Sequence, residues 1–209
     1  MSAFVSIVGA PRCGTTSLSR WLAEHPDVCF SEPKEPHFFS WNDLRGLDKT
    51  KLAGIVRHHY LDKYFPDHRP GQMLGDGSVT YLYRGAQMEP VLQLWPDAKF
   101  IIGLRDPLEL LPSIHQRLLY LCDEDQEDFN QAWELRKARA EGKAIPATCV
   151  EPRWLQYEYM VRLGKHVREF FDAVGRKRCA RQSCTARCAG NRATATTSSC
   201  ANSICSARC

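Results

Sequence analysis

The sequence predicts an α/β fold: a parallel β-sheet flanked by helices and incomplete at its C-terminus. Three observations carry that prediction. Short apolar runs at residues 4–8, 28–30 and 99–104 are bounded by turn residues, the pattern of strands buried on both faces. Helical periodicity follows the first and third runs. A glycine-rich turn joins the first run to its helix, as in folds that bind phosphate at a strand–helix junction.

The elements follow in chain order. Residues 4–8 form a strand that starts almost at residue 1. Residues 17–24 form a helix that stops at His25-Pro26, because the residue before proline avoids the helical region. Residues 28–30 make a short second strand, and KFIIGL (residues 99–104) a third. Asp106 and Pro107 then open a helix in which Leu108, Leu111, Ile114, Leu118 and Leu121 recur every three or four residues. A last helix spans 152–174, with Trp154, Tyr157, Val161, Val167, Phe171 and Val174 on one stripe. Segments 42–70 and 123–150 are rich in charge and read as helical insertions and loops near the substrate side. There is no internal repeat.

Composition sets outer bounds. With 209 residues, 44% hydrophobic and 25% charged, the chain fits an ordinary globular protein with a sizeable core. Collagen-like, coiled-coil and wholly disordered classes are excluded. No stretch approaches the ~20 apolar residues of a membrane span. The start, MSAFVSIVGAPRCG, lacks the basic and long apolar regions of a secretory signal, so the expected compartment is the cytoplasm.

The net charge of +4 is unevenly placed: residues 176–209 hold seven Lys/Arg and no acid, leaving 21 basic against 24 acidic residues before them. Six of the ten cysteines also fall in 179–209. The expected division is therefore a folded domain at 1–175 and a Cys/Arg-rich tail at 176–209. That tail has almost no large apolar residue and cannot bury enough surface to fold alone. Its cysteine spacings are irregular and no histidine joins them, which argues against a zinc site; no metal is expected. Scattered cations without aromatic residues argue against nucleic-acid binding. The abrupt switch to Cys, Ala, Arg, Ser and Thr is what a wrong reading frame of a GC-rich gene produces, and the expectation is a frameshift near Lys177 or Arg178.

The first chemical motif is GAPRCGTTS at residues 9–17, between strand and helix. Turn glycines and a helix N-terminus present converging N–H groups and a positive dipole end to a phosphate. The spacing fits a nucleotide-triphosphate loop except at one position: Thr15 stands where lysine is required, while Arg12 lies inside the loop. Such a loop is poorly equipped for the β- and γ-phosphates of ATP, so a small-molecule kinase is the weaker alternative.

Pro11-Arg12-Cys13-Gly14-Thr15-Thr16 resembles the loop of the PAPS-dependent sulfotransferases, in the bacterial and carbohydrate-type branch, across residues 3–175. These enzymes use 3′-phosphoadenosine 5′-phosphosulfate (PAPS) as sulfuryl donor. Arg105-Asp106-Pro107 at a strand end, with Ser113 eight residues after the arginine, resembles the family's 3′-phosphate site. SEPKEPHFF at residues 31–39 resembles the segment carrying a catalytic glutamate, with which Glu35 aligns; His37 aligns with the histidine two residues on. Gly75 to Tyr81 resembles a segment near the acceptor pocket, with Asp76 in place of the usual glutamate.

The resemblance implies sulfuryl transfer from PAPS to a hydroxyl or amine of a carbohydrate, lipid or small-molecule acceptor, without a metal. It implies donor binding by Arg12, Cys13, Gly14, Thr15, Thr16 and Ser17 at the 5′ end, and by Arg105 and Ser113 at the 3′ end. The acceptor must lose a proton as it attacks, so a base is required within hydrogen-bond reach. Glu35 is the first candidate and His37 the second, while Arg12 would stabilise charge on the departing phosphate. Cys13 also reads simply as a small filler, His115 as structural or nucleotide-linked, and His58 and His59 as surface residues. The rival reading is a nucleotide-binding remnant without catalysis.

Overall fold

The structure, a computed structural model, describes residues 2–184. Five parallel strands form one sheet: β1 (Phe4–Gly9), β2 (Val28–Phe30), β3 (Met73–Asp76), β4 (Lys99–Arg105) and β5 (Cys179–Cys184), in the order β2-β3-β1-β4-β5. The ten α-helices among the described residues are α1 (Thr15–Ala23), α2 (Phe38–Trp41), α3 (Lys49–Val56), α4 (Asp62–Tyr64), α5 (Glu89–Leu94), α6 (Pro107–Tyr120), α7 (Phe129–Glu134), α8 (Arg136–Ala140), α9 (Tyr157–Val161) and α10 (Leu163–Val174). The α/β parallel architecture is the one the strand–helix alternation predicts.

The first strand is buried along its whole length because sheet neighbours cover both edges and helices both faces. β3 is missing from the sequence-based strands. MLGD is short, contains glycine and aspartate, and has little strand propensity of its own; pairing on both sides, to β1 and β2, makes it a strand. The 152–174 segment is not one helix. A 3₁₀ turn at Pro152–Leu155, α9 and α10 replace it, broken at Arg162. The break separates two tasks: Tyr157 and Met160 pack into a core with Leu110, Ile114 and Cys13, whereas Val167, Phe170 and Val174 pack into the larger core with Phe4 and Phe100.

Segment 42–70 is helical over 49–64, but its work is internal, since Leu52, Val56 and Tyr60 are fully buried in the larger core. Segment 123–150 is tied down by a buried ion pair. Arg139 Nη1 and Nη2 meet the Glu124 carboxylate at 2.6 and 2.5 Å, and Tyr157 donates to the same carboxylate at 2.7 Å. β5 begins inside the segment assigned to an unfolded tail. Its pairing with β4 carries the sheet past the 175 boundary to residue 184. The remainder of that segment, and most of its cysteines, lie outside the described residues.

Strand order decides where a ligand can sit. The chain leaves β1 toward β2 on one side and leaves β4 toward β5 on the other, so the crevice at their carboxyl ends is the switch point of the sheet. Gly9 and Gly103 face each other in the β1–β4 register there. Gly9 has φ +148°, and a Cβ on it would lie 2.4 Å from the Gly103 carbonyl oxygen, so the strands approach too closely for a side chain.

Candidate active site

The 9–17 loop leaves β1 and turns into α1 through Gly14, which caps the helix at φ 74° in the left-handed region. No acidic residue occupies the first turn of α1, so its exposed N–H groups and dipole stay open to an anion. The Thr16 and Ser17 side chains face solvent at this end. Those of Cys13 and Thr15 are buried, with Thr15 resting against Gly103. What these two offer a phosphate therefore comes from their backbone.

The second motif arrives at the same place. Asp106 caps α6 by accepting from Leu108 N at 2.8 Å, and Pro107 starts the helix without losing a hydrogen bond. This geometry brings Ser113 over the loop, where Arg12 Nε donates to its hydroxyl at 2.9 Å. Arg105, at the end of β4, donates to the Arg12 carbonyl at 3.4 Å and to Glu109 at 3.2 Å. Two guanidiniums, one hydroxyl and an uncompensated helix N-terminus thus converge, and such a donor set fits a phosphate-bearing ligand. Arg12 reaches the Ser113 end of the cluster, the end the resemblance assigns to the 3′-phosphate.

Glu35 and His37 are one unit. His37 Nε2 lies 3.3 Å from Glu35 Oε2, and Lys34 holds the other carboxylate oxygen. Burial pushes the Glu35 carboxyl upward, but the hydrogen bonds from His37 and Lys34 outweigh it, so the group sits below its ordinary range. The other imidazole nitrogen, Nδ1, pairs with Thr80 Oγ1 at 2.9 Å, and Thr80 pairs with Ser40 Oγ at 2.8 Å. His37 itself takes φ 50°, and its backbone N–H donates to Ser78 Oγ at 2.8 Å.

Asp76 stands behind this loop. It is fully buried and accepts from Tyr60 OH at 2.5 Å, Ser78 N at 2.7 Å and Tyr81 OH at 3.0 Å. Burial raises its carboxyl above the ordinary range, and the hydrogen bonds only partly offset that. Its position fixes Ser78, and Ser78 fixes His37. Asp76 thus orients the histidine from the protein interior.

His37 also lines a cavity of about 260 Å³, together with Trp41, Thr80, Arg84, Glu151 and Trp154. Tyr83 forms part of its wall and packs against the core that contains Cys13. Lys34, Thr80, Arg84, Glu151 and Arg153 are residues the sequence did not single out. Thr80 falls within the 75–81 motif and Lys34 beside Glu35, so both were within reach. Arg84, Glu151 and Arg153 carry no motif and gather only in three dimensions. His115 is buried and contacts the Gln126 carbonyl at 2.7 Å, while His58 and His59 are exposed.

No family model matches the chain. Mouse carbohydrate sulfotransferase 15 is 30% identical over 164 residues, covering 60% of this chain and 28% of that protein. Its human counterpart is 28% identical over 172 residues with the same coverage. The chain therefore spans less than a third of these curated relatives. A sulfotransferase from Alicyclobacillus acidocaldarius superposes with a TM-score of 0.66 at 28% identity, covering 85% of this chain and 71% of that one. The sulfotransferase domain from the curacin biosynthetic pathway shares the fold at 16% identity, with a TM-score of 0.51 over 87% of this chain and 67% of its own. Among the described residues no helix is long and apolar enough to cross a membrane, and no group of His, Cys, Asp or Glu could hold a metal ion.

Proposed function

We propose, from its likeness to sulfotransferases in sequence and fold, that this chain transfers a sulfuryl group from PAPS to a hydroxyl or amine acceptor. The observation that carries this reading is the convergence of Arg12, Arg105 and Ser113 at the start of α1, together with a Glu35–His37 pair whose histidine lines a cavity. An in-line transfer requires both anion-binding groups and a proton acceptor, and the chain supplies each kind.

In this reading the donor supplies the sulfuryl group and 3′-phosphoadenosine 5′-phosphate leaves. The acceptor oxygen or nitrogen forms a bond to sulfur as the bond from sulfur to the donor's bridging oxygen breaks. The acceptor proton passes to the Glu35 carboxylate, which its partners keep ionised. His37 orients Glu35 and the acceptor, held by Ser78 and Thr80. Arg12 and the α1 N-terminus stabilise the negative charge that develops on the departing phosphate. A kinase reading lacks a lysine here, and the buried Thr15 side chain does not replace one.

The test pairs binding with turnover. Calorimetry should show 3′-phosphoadenosine 5′-phosphate binding more tightly than adenosine 5′-phosphosulfate, and labelled PAPS should transfer its sulfuryl group to an acceptor panel. Binding without transfer favours the nucleotide-binding remnant. No preference for the 3′-phosphate overturns the donor assignment.

A further inference from the structure

We propose that Cys122 and Cys149 form a reversible disulfide that clips the 144–151 strap to the end of α6. The proposal is independent of the transferase reading.

Cys122 and Cys149 are free thiols, and the chain is tied together on both sides of them. Thr148 donates its hydroxyl to the Cys122 carbonyl, and Val150 N donates to Asp123 Oδ1 at 2.9 Å. Residues 148–150 therefore run alongside 122–123. A disulfide needs Cα atoms about 4.4–6.8 Å apart, a range that segments joined by two adjacent hydrogen bonds reach with little movement. The other cysteines with described side chains are placed differently. Cys29 and Cys179 lie on the outer strands β2 and β5, with three strands between them, and Cys13 is buried in the 9–17 loop.

Cys122 also sits where its residue type is unusual. It follows α6 at φ 60°, the left-handed position past a helix end that glycine normally takes. Its N–H donates to the Leu119 carbonyl at 3.0 Å, and that of Asp123 to the Leu118 carbonyl at 2.9 Å, so the helix end is closed without a glycine. The turn thus presents an exposed thiol on a fixed backbone.

The two thiols differ in a way that orders the steps. Cys149 is half-buried; burial, and then the nearby Asp123 carboxylate, push its thiol above the ordinary range. The exposed Cys122, as thiolate, therefore attacks a small-molecule disulfide first, forming a mixed disulfide and releasing one small thiolate. Cys149 then gives up its proton and attacks the Cys122 sulfur, and the second small thiolate leaves. Two protein thiols are oxidised to one disulfide, and one small disulfide is reduced to two thiols.

The bond has a consequence for the cavity beside His37. Residues 144–151 form no helix or strand, and Val150 is 87% exposed. The strap ends at Glu151, which pairs with Arg84 at 3.1 Å on the cavity wall. A bond at Cys149 fixes that wall from two residues away.

The experiment places the reduced full chain in a glutathione redox buffer, blocks the remaining thiols with N-ethylmaleimide, and maps tryptic peptides by mass spectrometry. Cys122 and Cys149 fall alone in peptides 118–136 and 144–153. In the folded chain this linked pair should outnumber every other cysteine pair by about tenfold, because proximity raises effective concentration. The preference should vanish in denaturant, and reduction should separate the peptides. Cys149→Ser should leave Cys122 carrying glutathione, while Cys122→Ser should leave Cys149 unmodified. Amide exchange over 144–153 should slow in the linked chain. No link, links to Cys13 or to cysteines beyond Cys179 in comparable yield, or unchanged exchange in the linked chain overturns the proposal.

Discussion

Arg12 and Ser113, 101 residues apart, meet in a hydrogen bond of 2.9 Å from the guanidinium Nε to the hydroxyl. The bond joins the loop after β1 to the helix after β4 across the switch point of the sheet. Arg105 reinforces it through the Arg12 carbonyl. A ligand with phosphates at both ends of a nucleoside would replace the contacts within this cluster by contacts to itself, with its cations already gathered.

Removing the second motif should remove selectivity for the 3′-phosphate. For Arg105→Ala combined with Ser113→Ala, the loss is about 1.5–3 kcal/mol, the range of a charge-assisted contact. Competition between 3′-phosphoadenosine 5′-phosphate and adenosine 5′-phosphosulfate measures it. A variant that still prefers the 3′-phosphorylated nucleotide would show that Arg105 and Ser113 have another purpose.

Glu35→Gln should keep donor affinity and slow transfer by roughly 10²–10⁴, the range of general-base catalysis. Because its partners hold the Glu35 carboxyl below 4.5, the acid limb of the transfer rate should also fall below that pH. Single-turnover rates across pH provide both numbers. Unchanged turnover in Glu35→Gln with a large loss in His37→Ala would move the base to the histidine.

Asp76 gives a stability test with a defined sign. Its folded carboxyl is raised above the ordinary 3.8, so its favourable contribution is complete below that value and is lost as pH rises through the folded one. Wild type should therefore lose stability relative to Asp76→Asn as pH rises above 3.8. Denaturant unfolding of both proteins at each pH reads the difference, and the opposite trend would contradict the burial cause.

The Glu124–Arg139 pair, with no side-chain exposure on either partner, should be intolerant of single changes. Arg139→Met leaves a buried carboxylate with no cation, held only by Tyr157 and the Asp125 and Gln126 backbone N–H groups, and should cost about 3–5 kcal/mol. Adding Glu124→Leu should restore much of it, because both charges then leave the interior together. Unfolding free energies of the two single variants and the double variant test this. A double variant no better than Arg139→Met would show that the pair orders segment 123–150 in a way packing cannot replace.

Much of the site's outline was legible locally. The loop at 9–17 and the turn at 105–107 are contiguous, and their chemistry depends on spacing along the chain. Glu35 and His37 were separate candidates in the sequence and are a hydrogen-bonded pair in the fold, because Ser78 and Thr80 turn the histidine toward the glutamate. The cavity was not legible, since Trp41, Arg84 and Glu151 lie far apart and follow no period.

The sequence by itself determined the α/β parallel class, the helix α1 behind a glycine turn, and the cap that starts α6, because apolar runs, Gly14 and Asp106-Pro107 act on their own neighbours. Tertiary structure decided the rest. MLGD became β3 by pairing on two edges, and Cys179–Cys184 became β5 by lying along β4, whatever their composition favoured. The 152–174 segment broke at Arg162, with Tyr157, Met160 and Leu163 buried in one core and Val167, Phe170 and Val174 in the other. Asp76 became the support of His37 only when Tyr60, Ser78 and Tyr81 closed around it. Local bias chooses an element's start and type; the burial and pairing of distant segments, worth more than propensity, choose which elements survive and what they face.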